Sequence, residues 1–472
     1  MEKKDYKLAI IGSGPGGYVA ALRAGQLGLD TVLIEKEALG GTCLNWGCIP
    51  TKAFVRSAEV FSDIQNAKDF GINVEKAEVD FPAVVKRKDK IVKRLVRGID
   101  HLLERNGVDK IEGKASFIDQ NRLKIESESE NLEIEAENII IATGSEAASL
   151  PIPGADLEGI LDSRAALELE KLPKSMVIVG GGIIGMEFAF IFSNFGVDVT
   201  VIEYLDQLVS GVDSEIASEL NRSARRRRIS VKTSSEVKEI KKNESGYEVI
   251  YQQKNKEKSE AAEKVLMAVG RKPYTSGLKL ENIGLEVSDK RKAIPVNKKM
   301  ESNIKGIYAV GDVTDKILLA HVASTQGITA VENIAGLEKE INYEAVPGAI
   351  FTSPEIGTVG LTEAEAEAKG IEYQTSSFPF AASGKVMAMG EREGKIKLIV
   401  EKESEKIIGA AIIGIAASDL IAELTLAVNL SLTAEDLRNT IYAHPTTAEV
   451  IHEAALGLED GSIHAWFCLW NS

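Results

Sequence analysis

Two cysteines near the beginning of the chain could do chemistry together. Cys43 and Cys48 lie in Gly41-Thr42-Cys43-Leu44-Asn45-Trp46-Gly47-Cys48-Ile49-Pro50-Thr51-Lys52, with four residues between them. That separation lets their sulfurs form a disulfide if the backbone bends, and Gly47 allows the bend. A zinc site made of Cys alone needs four ligands and the chain has three Cys, so no metal centre is expected. A structural staple suits small secreted domains better than a chain of 472 residues. Reversible thiol–disulfide exchange is the chemistry this pair points to.

Electrons leaving such a pair need an acceptor, and the preceding residues describe one. Lys7 to Ile11 reads as a buried parallel strand, followed by Gly12-Ser13-Gly14-Pro15-Gly16-Gly17 and a helical Tyr18 to Leu27. A second strand, Thr31 to Ile34, ends at Glu35. Gly12 permits a tight turn, Gly14 lets a pyrophosphate approach the backbone, and Gly17 lets the helix pack on the strand. The helix N-terminus faces the phosphates, and Glu35 can accept hydrogen bonds from a ribose diol. The pattern recurs as strand Ser175 to Val179, Gly180-Gly181-Gly182-Ile183-Ile184-Gly185, helix Met186 to Phe195, strand Val199 to Ile202 and Glu203. Eighteen positions separate the last glycine from the acid in both copies. Two dinucleotides and a Cys pair imply an electron relay. Glu203 would repel a 2′-phosphate, and Tyr204-Leu205-Asp206 offers no Arg to neutralise one, so NAD is expected over NADP.

Length and charge narrow the partners. A chain this long exceeds one hydrophobic core, and 44 % hydrophobic residues can fill three or four domains. A formal charge of −15 disfavours nucleic acid and anionic membranes. The run Arg225-Arg226-Arg227-Arg228 reads as the solvated end of a polar helix beginning near Asp213. Met1 to Asp5 leads into the first strand without an apolar leader, and no apolar run reaches membrane-spanning length. A soluble cytoplasmic protein without membrane insertion is expected.

Further segments carry a resemblance. Ile141-Ala142-Thr143-Gly144-Ser145, Ala268-Val269-Gly270-Arg271-Lys272-Pro273, Ile307 to Val313 with Gly311-Asp312, Leu319-Ala320-His321 and His444-Pro445-Thr446-Thr447-Ala448-Glu449 accompany the Cys motif. Together they resemble the class I pyridine nucleotide–disulfide oxidoreductases over nearly the whole chain, and within them the branch that oxidises dihydrolipoamide. The resemblance implies an α/β fold with two Rossmann-like dinucleotide-binding domains, the NAD domain inserted in the FAD domain, and an α+β C-terminal dimerisation domain. The expected boundaries are 1–149 and 272–345 for the FAD domain in two parts, 150–271 for the NAD domain and 346–472 for the interface domain. Leu150 to Gly154 reads as a linker, Ser245 to Glu263 as an exposed hairpin, and Ser418 to Leu430 as a helix covering a C-terminal sheet.

The resemblance also assigns roles. Cys43 exchanges with the dithiol and Cys48 contacts the flavin. His444 serves as base and Glu449 orients it; outside this motif His444 would read as a turn residue before proline. FAD is expected at Gly12, Gly14, Gly17, Glu35, Lys52, Gly113, Thr143, Gly144, Gly311, Asp312 and Ala320. NAD is expected at Gly180, Gly182, Gly185, Glu187, Glu203 and Gly270. Lys52 would stabilise negative charge on reduced flavin. The partners implied are a second copy of the chain, which lends His444, and a lipoyl-bearing protein of a 2-oxo acid dehydrogenase or glycine cleavage complex. His321 and His452 read as surface or packing residues, and Cys468 as part of a packed tail.

Other readings are weaker. Glutathione and trypanothione reductases use NADPH, which Glu203 opposes. Mercuric reductase adds a C-terminal Cys pair, and large thioredoxin reductases a second redox centre. An idle flavoprotein scaffold would not keep Cys43, Cys48, His444 and Glu449 together. Trp46 for a small aliphatic, Tyr274 for Asn, Gln326 for Glu and Lys385 for Arg depart from the family pattern, as does the aromatic tail after His464. They bear on substrate access and partner more than on core chemistry.

Overall fold

The computed structural model describes residues 4–127, 131–244 and 246–465. Cys468 and the aromatic tail from Trp466 on lie outside the described residues, as does Ser245. The chain forms two compact units, each discontinuous in sequence. One takes the chain up to Ala53, then Ala83–Ala148 and Gly270–Asn342; the other takes Phe54–Pro82, Ser149–Val269 and the chain from Tyr343 on.

The first unit is built on a seven-stranded sheet. Lys4–Ile11 lies in its interior, parallel to Thr31–Glu35 on one side and to Asn131–Ile141 on the other. Apolar β-branched runs such as Ile139-Ile140-Ile141 suit strands covered on both faces, and all three are fully buried. Asp109–Glu112 extends the sheet beyond Thr31–Glu35. Asn131–Ile141 divides its far edge. Its first half pairs antiparallel with Arg122–Glu126, and its last three residues pair parallel with Ile307–Ala309. A strand some 170 residues later is thereby brought beside the first turn. Helices Pro15–Gln26 and Ala320–Ile334 pack backbone to backbone, because a Cβ on Gly327 would lie 2.4 Å from the Gly16 carbonyl oxygen.

The second unit holds three sheets. Ser230–Lys232, Asp198–Ile202, Ser175–Val179, Lys264–Met267 and Ile160–Leu161 form a parallel five-stranded sheet in that order. Ser235–Asn243, Gly246–Gln253 and Lys256–Ala262 form an antiparallel meander. The expected exposed hairpin therefore supplies two of the three strands of this sheet, and it buries Tyr247, Val249 and Tyr251. These three alternate with the less buried Glu248, Ile250 and Gln252, which gives the sheet one dry face. The third sheet is antiparallel, in the order Gly348–Ile350, Glu355–Gly360, Ile407–Gly414, Lys395–Glu401 and Tyr373–Pro379. Helix Ala417–Asn429 covers it so closely that a Cβ on Gly357 would meet the Ala417 carbonyl at 2.4 Å.

The arginine run ends its helix with Arg225, Arg226 and Arg228 exposed, as expected, and in addition two of its side chains find a partner. Helix Ser214–Arg226 stops before Arg228, whose φ is +60°. Arg226 and Arg227 both pair with Glu393, at 3.0 and 2.9 Å, and Arg227 lies over the Phe190 ring. Two cations of the run are thus fastened to the C-terminal part of the same unit. Among the described residues no helix is long and apolar enough to cross a membrane.

Candidate active site

The cysteine loop is built on the first glycine turn. Gly40 and Gly41 adopt left-handed φ values of +92° and +57°, which launch the short helix Gly41–Asn45 carrying Cys43. A Cβ on Gly41 would lie 2.7 Å from the Cα of Gly14, and the Gly40 N–H donates to the Ser13 carbonyl at 3.1 Å. The Asn45 amide ties the loop by donating to the Leu39 and Gly41 carbonyls. Gly47 contributes differently from the expectation. Its φ lies outside the left-handed range, and the reason for glycine is space, since a Cβ would meet the Thr42 oxygen at 3.0 Å. Helix Cys48–Gln65 then begins, steadied by the Thr51 hydroxyl donating to Gly47 at 2.7 Å.

Cys43 and Cys48 are both free thiols, half-buried and hydrogen-bonded to each other. The bond to Cys48 and burial push the Cys43 thiol far above its ordinary value, while the charge of Lys52 pulls in the opposite direction. Tyr18 also lies close by: burial first, and then the charge of Cys43, raise its phenol. Tyr18 was missed from sequence, although it is the first residue after the glycine fingerprint.

The two fingerprints fold into the same object. Gly12 and Gly180 have φ of +99° and +107°, and a Cβ on either would strike the next strand's end, at the Ala142 or Ala268 carbonyl. A Cβ on Gly17 would lie 1.8 Å from the Gly12 oxygen, and one on Gly185 2.0 Å from the Gly180 oxygen. Gly14 and Gly182, the N-caps of their helices, would carry a Cβ into open space. The acids repeat the match. Glu35 accepts from the Ser13 N–H at 2.8 Å and the Glu37 N–H at 2.9 Å. Glu203 accepts from the Gly181 N–H and, at 2.7 Å, the Leu205 N–H. Each turn thus presents free helix N–H groups, an uncrowded backbone and a fixed carboxylate, which fits a dinucleotide.

Around the first turn the other expected FAD residues gather within the same unit. The Gly113 N–H donates to the Glu35 carbonyl at 2.8 Å. The Thr143 hydroxyl donates to Tyr274, and the Tyr274 N–H returns to Gly144. The Gly311 N–H is held by buried Gln326 at 2.6 Å, which accounts for an amide at that position. Asp312 accepts from the Ser145 hydroxyl, itself held by Arg271 Nε at 2.7 Å. Sequence reasoning missed Ser145 and Arg271 as its neighbours; both stand in quoted motifs. Ala320 opens its helix, and His321 is exposed. Lys52 lies one turn into the Cys48 helix, near Cys43.

In the second unit, Glu187 follows Gly185 on helix Ile183–Asn194, is buried, and accepts from the Phe351 N–H at 3.0 Å. Gly270 belongs to the first unit, where its carbonyl accepts from the Ala148 N–H as the chain returns. His444 Nδ1 lies 2.8 Å from Glu449 Oε1, and the Thr446 N–H donates to Oε2 at 2.8 Å. Burial opposes ionisation of Glu449, but the bonds from His444 and Thr446 outweigh it and hold the carboxyl below its usual range. His444 is 79 % exposed and its Nε2 points away from this pair, the geometry of a base with an orienting carboxylate. His452 is a packing residue: its Nε2 lies 3.1 Å from the Arg438 carbonyl oxygen and its ring stacks on Tyr442.

Two glycine-turn sheets, one bearing a dithiol on its turn, define a nucleotide-dependent disulfide oxidoreductase. The chain belongs to the pyridine nucleotide-disulphide oxidoreductase family, matching it over residues 6–327 and its dimerisation domain over residues 346–455. It is similar to the dihydrolipoyl dehydrogenase of Haloferax volcanii, 42 % identical over 465 residues covering 97 % of each chain. It is similar also to that of Bacillus subtilis, 40 % identical over 447 residues covering 94 % of this chain and 95 % of the other. Among solved structures, LpdA from Mycobacterium tuberculosis superposes with a TM-score of 0.89 at 27 % identity, covering 97 % of this chain and 100 % of that one. The protein is a flavoprotein oxidoreductase whose cofactors are FAD and NAD, and its dimerisation domain makes it a homodimer.

Proposed function

We propose that this enzyme oxidises protein-bound dihydrolipoamide to lipoamide and reduces NAD+ to NADH, as a component of a 2-oxo acid dehydrogenase or glycine cleavage complex in the cytoplasm. The observation that carries this reading is the Cys43–Cys48 pair packed onto the Gly12–Gly17 turn, Gly41 against Gly14. Glu203 at the second turn and the dihydrolipoyl dehydrogenases among the relatives support the substrate and the nucleotide.

In the proposed cycle, the substrate's first thiol gives its proton to His444 Nε2, and Glu449 holds the ring and its developing charge. The resulting thiolate attacks Cys43 Sγ; the Cys43–Cys48 bond breaks and Cys48 leaves as a thiolate. The substrate's second thiol displaces Cys43, closing the lipoyl disulfide and leaving both enzyme cysteines reduced. FAD bound at the first turn would supply the two-electron relay between the reduced cysteines and NAD+. Gly12, Gly14, Gly17, Glu35, Gly113, Thr143, Gly144, Gly311, Asp312 and Ala320 would hold FAD, with Lys52 beside it. Gly180, Gly182, Gly185, Glu187, Glu203 and Gly270 would hold NAD. We take residues 1–149 and 272–345 as the FAD domain, 150–271 as the NAD domain and 346–472 as the interface domain, whose partner copy lends His444.

The test is NAD-dependent oxidation of free dihydrolipoamide by the FAD-loaded dimer, run beside glutathione disulfide and Hg(II) reduction with both nicotinamides. Rapid NADH formation from dihydrolipoamide is expected, and it should stop in Cys43→Ser and in Cys48→Ser. Faster NADPH-driven reduction of glutathione disulfide or Hg(II) would overturn the reading.

A further inference from the structure

We infer that one face of helix Phe81–Arg105 is a docking surface for an acidic protein domain, the carrier of the dithiol. This rests on the dihydrolipoamide reading and adds how the carrier is held. In a chain of formal charge −15, this helix carries eight basic and three acidic residues. Its carboxylates are already engaged. Asp89 pairs with buried Lys88 at 2.8 Å, and Asp100 and Glu104 pair with Lys110. Lys86, Lys90, Lys93, Arg94 and Arg97 are exposed, and none has a carboxylate partner among the described residues.

Their spacing makes them one feature. Lys86, Lys90, Lys93 and Arg97 fall at i, i+4, i+7 and i+11, a single stripe about 16 Å long, with Arg94 beside it. Neighbours at three and four residues repel and weaken the helix locally. Some exposed cations elsewhere are paired, as in Arg122–Asp119, Arg222–Glu219 and Lys238–Glu236, and others such as Arg225 are not; this helix is set apart by five of the latter gathered along it. A chain with 71 carboxylates has partners to spare, so an unpaired stripe marks a surface kept for another molecule.

The stripe also starts in the right place. Arg87 Nη1 donates to the Ala53 carbonyl at 3.0 Å, and Ala53 lies five residues after Cys48 on the redox helix. That is about 8 Å along the helix axis. The helix that carries the stripe is thus anchored near its N-terminal end on the helix that Cys48 opens. The negative net charge disfavours long polyanions such as nucleic acid or an anionic membrane. A small acidic domain meets mainly the local positive field, because charges farther than roughly 8 Å are screened at physiological salt.

The experiment compares the FAD-loaded wild-type dimer with the Lys90→Glu/Lys93→Glu/Arg94→Glu/Arg97→Glu variant and with a milder Lys93→Gln/Arg94→Gln variant. The substrates are free dihydrolipoamide and a reduced lipoyl domain of net negative charge, each at low and high salt. For the lipoyl domain, kcat/KM should fall roughly 10- to 100-fold in the quadruple variant at low salt, with an intermediate fall in the milder one. The salt dependence should disappear with it. For free dihydrolipoamide the change should stay within about twofold, since a neutral small molecule gains little from the stripe. Arg225→Glu, on helix Ser214–Arg226, should match wild type with both. An equal fall for both substrates, an unchanged rate with the lipoyl domain, or wild-type binding to anionic vesicles or single-stranded DNA as tight as to the lipoyl domain would overturn the proposal. Absence of turnover with free dihydrolipoamide in wild type would instead overturn the substrate reading. Titration of the oxidised lipoyl domain would still decide the surface, by weaker binding to the quadruple variant or by its absence.

Discussion

Replacing Gly182 and Gly185 by Ala, one at a time, should separate ligand binding from folding at two positions three residues apart. Gly182 caps its helix with φ −72° and ψ −174°, a conformation open to Ala, and its Cβ would meet nothing within 4 Å. Ala is a poorer N-cap than Gly, but it also lowers the entropy of the unfolded chain. These effects offset to within about 0.5 kcal/mol. At Gly185 the added Cβ would lie 2.0 Å from the Gly180 oxygen and 3.1 Å from its carbon. Both are backbone atoms, and Gly180 is itself held against the Ala268 carbonyl. The contact must open from 2.0 Å to about 3.4 Å, roughly 1.4 Å, before it becomes ordinary, at a cost near the upper end of overpacking, about 3 kcal/mol. Urea unfolding and thermal melting should therefore leave Gly182→Ala near wild type and move Gly185→Ala down by several degrees. The KM for NAD should do the reverse at Gly182, rising about tenfold or more, because a methyl group fills the approach of the pyrophosphate; tenfold is about 1.4 kcal/mol. Gly14→Ala and Gly17→Ala should split in the same way, read through retention of FAD. An unchanged NAD KM in Gly182→Ala, or a stability loss equal to that of Gly185→Ala, would refute the reasoning.

Other expectations follow from the same contacts. Steady-state kinetics should favour NAD over NADP by at least ~10-fold, and Glu203→Arg should narrow that ratio by removing the carboxylate proposed to repel a 2′-phosphate. Because Cys48 and burial raise the Cys43 thiol and Lys52 lowers it, Cys48→Ala should shift iodoacetamide labelling of Cys43 to lower pH. Adding Lys52→Met should shift it back up, as read site by site by mass spectrometry. Glu449 has a folded value below its unfolded one, so its stabilising contribution is complete above the unfolded value of about 4.3 and lost as pH falls through the lower folded one. Acid unfolding of Glu449→Gln should accordingly show a shallower loss of stability below about pH 4 than wild type. Mixing inactive Cys48→Ser and His444→Gln dimers after dissociation should restore roughly a quarter of wild-type activity if His444 acts across the dimer. No recovery despite demonstrated exchange would exclude it.

What could be read from residue types was chemistry confined to one turn. The eighteen-residue spacing from Gly17 to Glu35 and from Gly185 to Glu203 announced two equal turns, because such a turn accepts only glycine where φ is positive or a backbone approaches within a Cβ's reach. Their helices and strands followed within a few residues, and the α/β architecture with them. Contacts made across the sheet were not legible. Nothing local said that Gly41 rests on Gly14, that Tyr18 stands beside Cys43, or that Ser145 and Arg271 hold Asp312. Gly47 was expected to bend the chain, yet only the packed loop shows that it makes room for Thr42. Arg226 and Arg227 looked like a solvated end, and Glu393, more than 160 residues away, gives them a partner. Glu187, among apolar neighbours on its helix, is buried and accepts from the Phe351 N–H, which comes from a distant part of the sequence. Turn geometry depends on neighbours a few bonds away, so sequence determines it. These partners depend on strand order and register, which bring Ile307–Ala309 beside Ile139–Ile141 and which only the folded chain decides.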